Sequence, residues 1–177
     1  MTSTITYRSF AWLSAALVAL AGCGGVSKEE AARFNNALVA ADRRFVDASR
    51  EFIKAANAAV GGGVGEVTLV KRAYENVVDA AERMRADAKT LKVPKSKNAQ
   101  VFFDAYMAVV DQREELVKED FRIVMKVLED PVLTPQERVR KLIPSARYIN
   151  NLDHGAERQV KIAQAAFASE FGVVLKQ

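Results

Sequence analysis

Between Phe34 and Ala55 the chain keeps one spacing. Phe34, Leu38, Ala41, Phe45, Ala48, Phe52 and Ala55 follow in alternating steps of four and three residues. That seam lets one helix pack along another with a slight left-handed twist. Ser27-Lys28-Glu29-Glu30 stands ahead of it with the form of a capping box, in which serine and glutamate each satisfy a free amide of the other. After it comes Gly61-Gly62-Gly63-Val64-Gly65, where helical backbone would cost too much entropy. The pattern predicts a first helix from Ser27 to near Val60.

The same spacing recurs through Val70, Tyr74, Val77, Ala81, Met84, Ala88 and Leu91, and Val93-Pro94 bars its continuation. A lysine-rich loop, Lys95-Ser96-Lys97-Asn98, leads to a third apolar face. It is built from Phe102, Phe103, Tyr106, Val109, Val110, Leu116, Val117, Ile123, Val124 and Val127, and Asp130-Pro131 closes it. Thr134-Pro135-Gln136-Glu137 is a second capping box, with proline where its missing N–H does no harm. The fourth stretch carries Val139, Leu142, Ala146, Ile149, Asp153, Ala156, Val160, Ala163, Phe167 and Val174. Pro144 should kink or split it, Gly155 is a second weak point, and Gly172 is its expected end. No stretch alternates as a strand would. The expected fold is all-α, an up-down-up-down four-helix bundle with a kinked or split fourth helix. An extended coiled-coil oligomer is the competing arrangement, disfavoured by the short loops.

The N-terminus follows a different logic. Arg8 is the only charged side chain before an uncharged apolar run from Phe10 to Leu20, and Leu20-Ala21-Gly22-Cys23 follows directly. A charged start, an apolar middle and small residues at a cut describe a secretory signal. Phe10 to Gly22 is shorter than the roughly 20 residues needed to span a bilayer. The tetrad resembles the lipobox of bacterial lipoproteins. The resemblance implies diacylglyceryl transfer to the Cys23 sulfur, cleavage before it, and N-acylation. Gly24 in place of aspartate implies sorting to the outer membrane, facing the periplasm, if the cell is Gram-negative. The division expected is a signal at 1–22, a lipidated cysteine and short tether at 23–26, and a helical domain at 27–177.

Charge narrows the classes of function. Without residues 1–22 the chain keeps 155 residues, enough for one core, and a net charge of +3. That is too balanced for a nucleic-acid partner. Cys23 is the only cysteine and His154 the only histidine. Neither a cysteine–histidine zinc site nor a bundle di-metal site can be built from them. A haem between Met84 and His154 is disfavoured, since no cysteine pair exists to attach it and the apolar seam is already filled. The serines lie in caps or helical stretches with no base beside a nucleophile, so no enzyme activity is expected. No cofactor is expected beyond the covalent lipid on Cys23.

Two sets of polar residues stand out. Projection at 100° per residue puts Arg113 and Asp120 near the centre of the third apolar face, and Asp153 on the seam of the fourth. A hairpin centred near Val132 predicts an Arg113–Asp153 ion pair and a partner for Asp120 in Lys141 or Arg147. Such charges either fix helix register or line a cavity for a polar ligand group. Up-down-up-down topology would also gather Lys28, Lys92, Lys95 and Lys97 at the membrane end, with Lys89 and Lys176. The expectation is a membrane-anchored envelope lipoprotein with a structural or protein-interaction role and an unidentified envelope partner. The alternative is a bundle holding a small or apolar ligand near Arg113, Asp120 and Asp153.

Overall fold

A computed structural model describes residues 26–61, 64–150 and 155–175, and every regular element among them is helical. Helix α1 runs Lys28–Ala59 and α2 Val64–Thr90. Helix α3 covers Lys97–Leu116, a π-helical turn Val117–Phe121 follows, and α4 covers Arg122–Glu129. Helices α5 and α6 run Pro135–Asn150 and Gly155–Phe171. Cys23, Asp153 and His154 lie outside the described residues, as do residues 1–22 and Lys176.

The helix ends are set by local chemistry. At the start of α1, Ser27 N–H donates to Glu30 Oε2 at 3.0 Å and Glu30 N–H donates to Ser27 Oγ at 3.1 Å, completing the capping box. Thr134 and Glu137 repeat it before α5: Thr134 N–H donates to Glu137 Oε2 at 2.8 Å. Ser96, in the lysine-rich connection, caps α3 by accepting from Ala99 N–H at 3.0 Å. Gly172 ends α6 at φ +63°, and Val173 N–H reaches back to Ala168 O at 2.9 Å. That 6→1 closure needs a residue at home in left-handed backbone, which glycine supplies. Pro144 does not end its helix: α5 continues on both sides of it to Asn150.

Helices α1, α2, α3 and α6 pack against their neighbours largely through the predicted faces. In α1 and α2 the seams are buried almost as spaced, with Phe34, Leu38, Phe45 and Phe52 facing Val70, Val77, Ala81 and Met84. The two helices run antiparallel; Arg44 Nη2 meets Asp87 Oδ2 at 2.6 Å, and the Phe52 and Tyr74 ring centroids are 5.9 Å apart. Antiparallel α3 and α6 meet through Phe102 and Phe167 at 5.4 Å, and both rings touch Phe34 of α1. Ser96 Oγ donates to Glu170 Oε2 at 3.1 Å. The start of α1, the α2–α3 connection and the end of α6 thus share one end of the molecule. The core positions run from Ala31 to Ala168, so a chain beginning at Cys23 carries all of them.

The π turn corrects the third predicted face. One extra residue in that turn places Phe121 where an unbroken α-helix would put Asp120. Phe121 is buried, with its ring 4.6 Å from that of Phe52, and Met125 and Leu128 follow it inward. Ile123, expected on the seam, is exposed, and Asp120 moves to the margin. The fourth stretch is corrected too. Val139, Ala146 and Val174 are exposed rather than packed, whereas Ala163 and Phe167 are buried as expected.

Candidate functional site

Arg113, in the last turn of α3, is the most deeply buried charge among the described residues, at 9 % exposed. Three other helices supply its surroundings. Nη1 donates to Asp42 Oδ1 of α1, and Nη2 lies 3.7 Å from Glu157 Oε1 of α6. The Met84 sulfur of α2 sits 3.9 Å from Nη1, and the guanidinium carbon stands 4.9 Å from the Phe45 ring centroid. Charge pairing, sulfur contact and cation–π stacking together replace the water that a buried guanidinium loses.

The described carboxylates at Arg113 are Asp42 and Glu157. Asp153, the expected partner, lies outside the described residues. Glu157, in α6, stands at the height of Arg113. Of the two partners expected for Asp120, Lys141 makes no ion pair with it, and the Arg147 side chain lies outside what is described. Burial, with Glu119 and Glu115 nearby, instead pushes its carboxyl above the usual aspartate range. Asp120 lies within the π turn and is only half-buried. Asp42 was missed. Its one sequence signal is its place beside the seam, four residues after Leu38 and three before Phe45.

A groove of about 320 Å³ lies beside this ion pair, between α1, α3 and α6. Leu38, Phe102 and Val160 give it apolar walls, and Asp42, Arg113, Glu157 and Gln164 give it polar ones. Gln164 Nε2 donates to Asn35 Oδ1 at 2.8 Å, a second polar bridge from α6 to α1. Tyr106 also lines the groove. It is 2 % exposed, and its hydroxyl is buried without a hydrogen-bond partner. Burial, and then the Asp42 carboxylate, hold that phenol protonated well above its ordinary range. The groove therefore offers an apolar floor, one unused O–H and a guanidinium already matched by carboxylates.

A second concavity, about 660 Å³, lies at the end where α1 begins. One wall is the α1 face of Val26, Glu30, Arg33, Phe34 and Ala37, and the other is the loop Leu91–Lys95. Lys28, Lys92, Lys95 and Lys97 are all exposed at this end, and none of them is ion-paired among the described residues. On the α2–α3 side, by contrast, Arg85 bridges Asp111 and Glu114, and Lys118 lies 3.2 Å from Glu114. Those bonds hold Glu114 below the usual carboxylate range although burial works to raise it. Among the described residues, no group of three or more His, Cys, Asp or Glu converges as a cation site, and no helix is long and apolar enough to cross a membrane. No protein-family model, curated protein or solved structure matches this chain.

Proposed function

We propose that this chain is a lipid-anchored protein of the bacterial envelope, acting without catalysis as a structural or protein-interaction module. Its helices form an up-down-up-down four-helix bundle in which α5 and α6 make up the fourth rod. The observation that carries the reading is the complete Ser27–Glu30 capping box, which starts a 32-residue helix only five residues after Cys23. A lipid on that cysteine would therefore hold the bundle by one end, with little slack. Lys28, Lys92, Lys95 and Lys97 would meet the membrane, and the Pro131–Thr134 turn would face away from it toward a protein partner.

Metabolic labelling with an alkyne fatty acid tests the anchor in bacteria that produce the chain. The wild type should take up label and fractionate with membranes, and Cys23→Ala should do neither. Label retained on Cys23→Ala, or absent from the wild type, overturns the reading. Crosslinking in intact envelopes should then recover a protein through residues near Val132.

One observation favours a second reading, in which the groove beside Arg113 holds a small ligand. The buried, unpartnered hydroxyl of Tyr106 on an apolar wall has the character of a binding pocket. Small amphiphiles that raise the melting temperature of the wild type should lose that effect in Val109→Trp, which fills the groove. Equal shifts in both proteins would remove this reading.

A further inference from the structure

The concavity at the start of α1 has three properties that belong together. Its walls are apolar, from Val26, Phe34, Leu91 and Val93. Its rim is cationic: Arg33, Lys92 and Lys95 are exposed, and none is ion-paired among the described residues. Glu30, the one acidic residue of its lining, accepts from the Ser27 N–H at 3.0 Å and lies in the field of Arg33 and Lys92, so three cations against one carboxylate leave the rim net positive.

Its position matters as much. Val26 lies on the wall and stands three residues after Cys23. Three extended residues reach at most roughly 11 Å. The head-group layer of a leaflet is about 5–7 Å deep, and charges interact across about 8 Å at physiological salt. A bundle tethered at Cys23 cannot move this mouth out of range of the surface. An apolar cleft with a net positive rim, held at that depth, complements a phosphate with acyl chains beneath it.

We propose that this groove seats the head group of an anionic phospholipid. Arg33, Lys92 and Lys95 hold the phosphate, and Val26, Leu91 and Val93 cover the glycerol and the first acyl carbons. The seat would give the bundle a fixed orientation, because it adds a second attachment beside the covalent one. The proposal takes its proximity argument from the Cys23 anchor, but the binding itself needs no lipid on the protein.

The test uses the chain from Cys23 onward with Cys23→Ser, sedimented with vesicles in low-salt buffer. Vesicles of phosphatidylglycerol in phosphatidylcholine should bind it, and pure phosphatidylcholine should not. Arg33→Gln, Lys92→Gln and Lys95→Gln should each weaken binding about fivefold, and the triple variant about a hundredfold. Lys126→Gln/Arg140→Gln/Lys141→Gln, which removes the same charge elsewhere, should change binding less than about twofold. Ala37→Phe keeps every charge but narrows the groove, and should also weaken binding about fivefold if the apolar wall takes part. Far-UV circular dichroism and the urea midpoint show whether each variant is folded. Equal binding by the rim triple, equal loss in the control triple, or unchanged binding by a folded Ala37→Phe overturns the seat. The protein here carries no lipid, so the result is independent of the labelling experiment on Cys23.

Discussion

Arg113 and Asp120 are seven residues apart on one continuous helical rod, which makes them equivalent positions of a regular seam. Their fates are opposite. Arg113 goes inward, where Asp42, Glu157, Met84 and Phe45 surround its guanidinium. Asp120 goes to the margin, with like charges for neighbours and its carboxyl pushed upward. Two carboxylates from other helices are available to the arginine, and no described cation is available to the aspartate. An unpaired buried carboxylate costs several kcal/mol. The π turn at Val117–Phe121 avoids this by turning Phe121 inward instead. A charge stays on a seam only where the opposing helices can match it; otherwise the backbone changes pitch.

This contrast can be broken in four ways, each read by urea unfolding of the chain from Cys23 onward with Cys23→Ser. The largest effect should come from Phe121→Ala, which empties a fully buried site against Phe52 and should cost about 3–5 kcal/mol. Ile123→Ala, at the position an unbroken helix would bury, should cost less than about 1 kcal/mol because Ile123 is 43 % exposed. Similar costs for the two would mean that the π turn does not set the register.

Asp42→Ala should cost about 2–3 kcal/mol, since it leaves Arg113 buried with only the more distant Glu157. Adding Arg113→Met should restore most of that loss, because an apolar chain of similar length needs no partner. If the double variant is no more stable than Asp42→Ala, the pair is not the source of the cost.

Deleting Asp120 should cost no more than about 1 kcal/mol, although deletions inside helices usually change the register of everything beyond them. Here the π turn already holds one residue too many. Removing it leaves an ordinary α-helix with Phe121 and Leu128 still facing inward. Unfolding of this variant would show that the turn is required for more than accommodating Asp120.

The smallest effect concerns pH. The Asp120 carboxyl has its folded-state pKa above its unfolded one, so its ionised form opposes folding. That penalty is absent below the unfolded pKa and grows as pH rises through the folded one. Asp120→Asn should therefore gain a few tenths of a kcal/mol near neutral pH. The gain should vanish below about pH 3, where aspartate is protonated in both states. A gain that persists in acid would mean the charge is not its cause.

The seams of α1 and α2 were legible because they are local: a four–three spacing needs only a helix to bring Phe34, Leu38, Ala41 and Phe45 onto one side. The capping boxes at Ser27 and Thr134 were legible for the same reason, since their partners are three residues apart. Asp42 was not, because beside the seam it looks like any solvated flanking charge until Arg113 arrives from a helix 71 residues away. Phe121 was hidden by the projection itself, which holds the pitch constant. The cationic groove at the start of α1 was half legible: its lysines were countable, but Arg33 and the apolar walls are brought together by folding.

Sequence alone therefore determined where α1 and α5 begin, where α6 ends, and which faces of α1 and α2 are apolar. Each rests on interactions within a few residues of chain. Tertiary structure decided the partners of Arg113, the pitch of the third rod and the two grooves. Those depend on which charges and side chains three or four helices present at one height, and the free energy of a buried charge or a filled site is a property of that whole assembly.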